Sequence, residues 1–193
     1  MKVGIFGGTF DPPHFGHLIA AQDALDVLSL DCVLFIPARV PPHKQQDDVT
    51  DPAVRLRMIR AATADDARFE VSDVELRRTG PSYTVDTLRE LREQRPDDEF
   101  FLLLGVDQVR EFSTWREPQQ VLKYARLAVL ARSGVERPDV GDIVHETVRV
   151  TRVDISSTLV RERAAAGRPV RYLVPEGVEK IIAAERLYSR GSG

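Results

Sequence analysis

Val3-Gly4-Ile5-Phe6 is an apolar run stopped by Gly7-Gly8, the pattern of a buried strand that ends in a turn. From Phe15 to Leu28 the period changes, and Leu18, Ala21, Leu25 and Leu28 fall on one face of a helix. Cys32 to Ile36 predicts a second buried strand, halted by Pro37. Asp51-Pro52 reads as a cap with proline at the first helical position, opening a helix that carries Leu56, Ile59 and Arg60 toward Ala64. Arg68 to Leu76 is expected to be extended, and Ser82 to start a helix through Val85, Leu88 and Leu91. Phe100 to Leu104 is the most hydrophobic strand candidate, ended by Gly105. Then come a helix over Pro118 to Tyr124, a strand over Arg126 to Ala131, and a weakly alternating stretch from Glu146 to Val153. Two more helices are expected, over Ser157 to Ala166 and Pro175 to Leu187. Residues 133–145 show no clear period and read as loop.

Strands alternate with helices, and several strands are apolar throughout. That predicts an α/β fold, doubly wound, with a mainly parallel sheet covered by helices on both faces. The expectation is a single domain over residues 1–189 and a disordered tail at 190–193. Open sheets of this kind bind ligands beyond the carboxyl ends of their strands, which directs attention to the turns after Phe6, Ile36, Leu104, Ala131 and Val153.

Composition narrows the classes. A chain of 193 residues with 42% hydrophobic and 30% charged residues is ordinary for a globular protein. A net charge of −3 argues against a nucleic-acid partner. No apolar run approaches the ~18 residues of a membrane span, and the start shows no leader pattern. Cys32 is the only cysteine, so no intrachain disulfide can form, and within its apolar run it reads as a buried hydrophobe. Together these suggest the cytoplasm; a homo-oligomer stays open.

The chemistry concentrates in Gly7-Gly8-Thr9-Phe10-Asp11-Pro12-Pro13-His14-Phe15-Gly16-His17. The glycine spacing matches neither the dinucleotide fingerprint nor a Walker A loop. Glycines still let backbone N–H groups approach a phosphate. His14 and His17, three apart at the start of a helix, can share a face near its positive end, with room beside Gly16. Three readings compete: zinc ligands, for which the other donors are lacking; cap or surface residues, the default for such a pair; and a phosphate clamp.

This stretch resembles the H-x-G-H signature of the nucleotidyltransferase superfamily. That resemblance predicts a second motif after the last strand, and Ile155-Ser156-Ser157-Thr158-Leu159-Val160-Arg161 matches it. A simple helix cap with a solvated arginine would also explain those residues. Ser82 to Leu88, Leu103 to Trp115, Pro41 to Lys44 and the ending Val178 to Tyr188 are similar to the nicotinate mononucleotide adenylyltransferases. The likeness spans nearly the whole chain and is thinnest over Ser133 to Val150.

The resemblance implies adenylyl transfer from ATP, with Mg²⁺ on its phosphates, to nicotinate mononucleotide. It implies no protein general base and no protein metal ligand. His14, His17 and Arg161 would be catalytic. Gly7, Gly8, Thr9, Gly105, Asp107, Ile155, Ser156, Ser157 and Thr158 would bind ATP. Thr9, Phe10, Lys44, Thr84, Trp115 and Arg132 would bind the mononucleotide. Each has a plainer reading: Lys44 and Arg132 as solvated charges, Trp115 as core, Thr84 as a cap. No counter-charge for the nicotinate carboxylate was evident, since Asp86 and Glu117 near Thr84 and Trp115 are acidic. Backbone N–H groups and the Thr84 hydroxyl are therefore expected to read it. Related transferases with other acceptors, and a non-catalytic nucleotide-binding module, are the alternatives.

Overall fold

The computed structural model describes residues 1–40, 49–132 and 144–189, with Arg132 described in its backbone only. Six parallel strands form one sheet: β1 (Lys2–Gly8), β2 (Cys32–Pro37), β3 (Phe69–Val71), β4 (Glu99–Gly105), β5 (Arg126–Arg132) and β6 (His145–Val150). Their order is β3-β2-β1-β4-β5-β6, and every neighbouring pair runs parallel. The chain winds outward from β1 in one direction and from β4 in the other. The carboxyl ends of β1 and β4 thus flank the switch point where such sheets open a crevice.

Side chains alternate between two cores, as the pleat requires. Val3 and Ile5 of β1, Leu34 and Ile36 of β2, and Leu102 and Leu104 of β4 face one cluster. That face is covered by α4 (Thr84–Gln94), through Val85, Leu88 and Leu91, and by the shorter α5 (Val106–Arg110) and α6 (Pro118–Tyr124). Phe6, Val33, Phe35, Phe101 and Leu103 face the other cluster, against α1 (Phe15–Leu28). A third cluster joins α2 (Pro52–Thr63), α7 (Ser157–Ala165) and α8 (Glu176–Ala184) through Met58, Val160, Val178 and Ile182.

Most predicted elements lie where the pattern put them. The proline cap of α2 is as expected: the Asp51 carboxylate accepts from the Ala53 N–H at 2.8 Å. Three expectations need correction. The extended stretch Arg68 to Leu76 is a strand only over Phe69–Val71, after which Val74–Arg77 forms the short helix α3. In α2 the buried stripe is Arg55, Met58, Ile59 and Thr63 rather than Leu56 and Arg60. His145, expected in a loop, begins β6. The proposed tail at 190–193 and the Pro41 to Lys44 segment lie outside the described residues.

Candidate active site

β1 ends at Gly8, and the following loop turns back sharply before α1. Phe10 takes a left-handed conformation, with φ of 51°, and the Asp11–Pro12 peptide is cis. The Phe10 side chain is buried against Phe6, Phe35 and His17, so a substrate contact at this residue is left to its backbone.

His14 does not lie inside the helix; it is the N-cap, in extended backbone geometry, and His17 sits at the third helical position. The two rings stack with centroids 3.8 Å apart and planes inclined by 27°. A Cβ on Gly16 would come within 3.0 Å of the His14 ring, so glycine is what lets that ring lie there. The His14 backbone N–H donates to His17 Nδ1 at 3.2 Å, which assigns the proton of neutral His17 to Nε2. Burial, aided by His14, holds His17 well below the ordinary histidine pKa. At neutral pH His17 therefore presents one fixed N–H donor.

The second motif folds onto the same loop. Ser156 caps α7, its hydroxyl accepting from the Leu159 N–H at 3.1 Å. The Ser157 hydroxyl donates to the Pro12 carbonyl at 2.9 Å. Arg161 donates to the Asp11 carbonyl at 2.8 Å and to the Thr158 hydroxyl at 3.2 Å. The Ile155 carbonyl lies 3.5 Å from where a Gly16 Cβ would stand. Residues about 150 positions apart in sequence thus meet beside the two imidazoles. The cap reading is met by Ser156, and the start of α7 is tied to the loop that carries the two imidazoles.

On the other side of Thr9 lies a cavity of about 300 Å³, between the carboxyl ends of β1, β2 and β4. Its walls include Gly7, Gly8, Thr9, Tyr83, Thr84 and Trp115. Tyr83 caps α4, so Thr84 stands at that helix's first position. Trp115 is partly buried, its ring 5.4 Å from Phe112 at an angle of 49°. The indole both packs against the core and lines the cavity. Gly105 caps α5, and its N–H donates to the Gln108 side chain at 3.1 Å. Asp107 projects outward, 95% exposed, paired loosely with Arg110. Lys44 and the side chain of Arg132 lie outside the described residues.

Four residues escaped the sequence reading. Glu75 lines the cavity, buried, accepting from the Thr87 hydroxyl at 2.7 Å, and burial pushes its carboxyl up. Arg116 follows Trp115 directly and also lines the cavity, which corrects the impression that only acidic residues flank it. Arg55 is fully buried behind the loop, donating to the carbonyls of Thr9, Thr50 and Arg39. The Tyr188 hydroxyl donates to the Asp11 carboxylate at 2.5 Å, while the Thr50 N–H donates to its other oxygen at 3.1 Å.

A parallel sheet with a glycine turn and two stacked imidazoles at its switch point is the arrangement of a nucleotidyltransferase-like protein, and residues 5–163 match the family described as cytidylyltransferase-like. A Thermus thermophilus protein named probable nicotinate-nucleotide adenylyltransferase is 47% identical over 188 residues, covering 97% of this chain and 100% of the relative. A Geobacillus thermodenitrificans protein of the same name is 44% identical over 187 residues, covering 97% and 86%. The chain belongs to this nicotinate-nucleotide adenylyltransferase family. The fold is also that of a solved Plasmodium falciparum nicotinic acid mononucleotide adenylyltransferase complexed with NaAD, with a TM-score of 0.81 at 16% identity and 97% of both chains covered.

Proposed function

We propose that this protein transfers the adenylyl group of ATP to nicotinate mononucleotide, giving deamido-NAD and pyrophosphate. The observation that supports this most is the convergence of His14, His17, Ser157 and Arg161 on one loop, next to an apolar cavity holding Trp115 and Thr84. A flat heterocycle fits against the indole, and an anion suits the N-terminal end of α4.

In this reading the acceptor's 5′-phosphate oxygen attacks the α-phosphorus, and the bond to the bridging oxygen of pyrophosphate breaks. A phosphate is already ionised, so the chain has no proton to remove. Its work is alignment and charge stabilisation. The His17 Nε2–H and His14 donate to phosphoryl oxygens, with the Gly8 and Thr9 N–H groups alongside. Arg161, with Ser156, Ser157 and Thr158, takes the departing pyrophosphate. Gly7, Gly105, Asp107 and Ile155 border the nucleotide, and Lys44, Phe10 and Arg132 the acceptor. Mg²⁺ enters on ATP as part of the substrate, where it offsets phosphate charge. Among the described residues no three His, Cys, Asp or Glu side chains gather to hold a metal.

Pyrophosphate release from ATP and Mg²⁺, measured with nicotinate mononucleotide, its amide counterpart, phosphopantetheine and glycerol phosphate in turn, tests the reading. Release with nicotinate mononucleotide is expected, and faster release with one of the last two would overturn it. Hydrogen bonds to a charged group contribute about 1.5–3 kcal/mol each. Two such bonds from α4 would favour the acid over the amide by roughly 10² or more in kcat/KM, since 1.4 kcal/mol is about tenfold. Equal kcat/KM values would exclude that account of the pocket.

Arg161→Lys is expected to lower kcat/KM for ATP by about tenfold or more, because a point charge replaces a planar fork that now serves the loop and Thr158 at once. An unchanged kcat/KM would leave Arg161 as a tie between α7 and the loop and nothing more.

A further inference from the structure

The proposed acceptor carries a carboxylate, and the cavity that would take it has two charged residues among its described walls, Glu75 and Arg116. Glu75 is buried and already engaged by the Thr87 hydroxyl, whose oxygen in turn accepts from Arg78 at 2.6 Å. Arg116 is different. Its guanidinium lies 4.9 Å from the centre of the ring of Tyr83, the residue that caps α4 just before Thr84, and both Arg116 and Thr84 line the cavity. It touches Asp86 at 3.3 Å and Glu117 at 3.5 Å, and its side chain is 50% exposed. Contacts that long between partly exposed groups are worth little, about 0–1 kcal/mol. Asp86 has a second partner, Arg89 at 2.7 Å, and so does Glu117, from Arg89 at 3.6 Å. Neither acid would be stranded if Arg116 moved.

We propose that Arg116 is a specificity-determining residue, which exchanges its loose contacts with Asp86 and Glu117 for the nicotinate carboxylate. The inference rests on the proposed acceptor. Held on the Tyr83 face, the guanidinium can turn toward a carboxylate at Thr84 without leaving the ring. It adds charge to a site otherwise made of helix N–H groups and one hydroxyl. The amide mononucleotide carries no charge for it to meet.

The test is the ratio of kcat/KM for acid over amide in the full chain, with binding followed in parallel by quenching of Trp115, the only tryptophan. Wild type sets the reference: a protein that turns over neither mononucleotide and binds neither overturns the acceptor reading, and this inference with it. Given turnover, Arg116→Gln is expected to lower the ratio by about two- to fivefold, the upper part of what a partly exposed charge contact gives. The loss should lie mainly in KM and in the affinity for the acid. Arg116→Lys should retain part of the preference, since it keeps the charge but not the fork. Raising salt should narrow the acid preference of wild type and leave that of Arg116→Gln nearly flat. An unchanged ratio in Arg116→Gln, or an equal loss for acid and amide, would show that the guanidinium does not read the carboxylate, while leaving the acceptor reading intact.

Discussion

His17→Ala is expected to lower kcat by on the order of 10²–10³ while weakening ATP binding far less, the cost of losing one preorganised donor to developing charge. His17 is set up for that role by three features. Its Nδ1 accepts from the His14 N–H, which leaves Nε2 as the donor. Its ring is wedged between Phe10 and His14, with centroids 5.0 and 3.8 Å away. Burial and the neighbouring imidazole hold its pKa well below 6.5, so the donor is a neutral N–H at pH 7. Titration of His17 should accordingly add nothing to the pH profile of kcat/KM for ATP near 6.5. The same shift carries a stability consequence. The unfolded chain takes up this proton near pH 6.5 and the folded chain only at lower pH, so the folded state's advantage is whole above 6.5 and shrinks as pH falls below it. Wild-type-like turnover in His17→Ala, measured by single-turnover kinetics at saturating ATP, would remove His17 from the chemistry. His14→Ala should be similar or milder, because it removes the proposed His14 donor and the stacking partner but leaves the Nε2 donor of His17.

The sheet, its parallel sense and the two family motifs were legible because each depends on local pattern. Buried parallel strands read as continuous apolar runs, and the glycine turn and paired histidines sit within one short stretch. What escaped depends on contacts distant in sequence. Arg116 was overlooked beside two acids, since nothing in the order of residues tells which side chain turns inward. The chain Arg78 to Thr87 to Glu75 joins α3 to α4, and no spacing announces it. His14 shifted from a helical position to the cap because its backbone N–H closes onto His17, a geometry that periodicity does not resolve. Arg55 had a signal. It stands three and four residues before Met58 and Ile59, which places it on the buried stripe of α2, but a charged residue there reads as polar until its partners are known.

Those partners make Arg55→Met the substitution with the largest expected effect on stability. Arg55 is fully buried, and its guanidinium donates to Thr50 O at 2.8 Å, Thr9 O at 2.8 Å and Arg39 O at 3.3 Å. Burial pulls its pKa down, with Asp11 opposing. Asp11 is itself 3% exposed and takes donors from Tyr188 and Thr50. Methionine fills similar volume but donates nothing. Three carbonyls lose their donor, and a buried carboxylate loses its nearby cation. Removing one side of such a buried arrangement costs about 3–5 kcal/mol. At about 2–4 °C per kcal/mol for a chain of this size, Tm should fall by on the order of 10 °C. Lysine at this position should recover part of the loss, since it returns the charge but cannot serve three carbonyls at once. The damage should reach function too. Thr9 belongs to the loop that is proposed to carry the phosphate contacts, and Arg55 donates to its carbonyl from behind. In Arg55→Lys, assayed well below its Tm, kcat is therefore expected to fall more than KM for the mononucleotide rises. A Tm within about 2 °C of wild type in Arg55→Met, where even one lost kcal/mol would show, would mean that the loop keeps its shape without this buried cation.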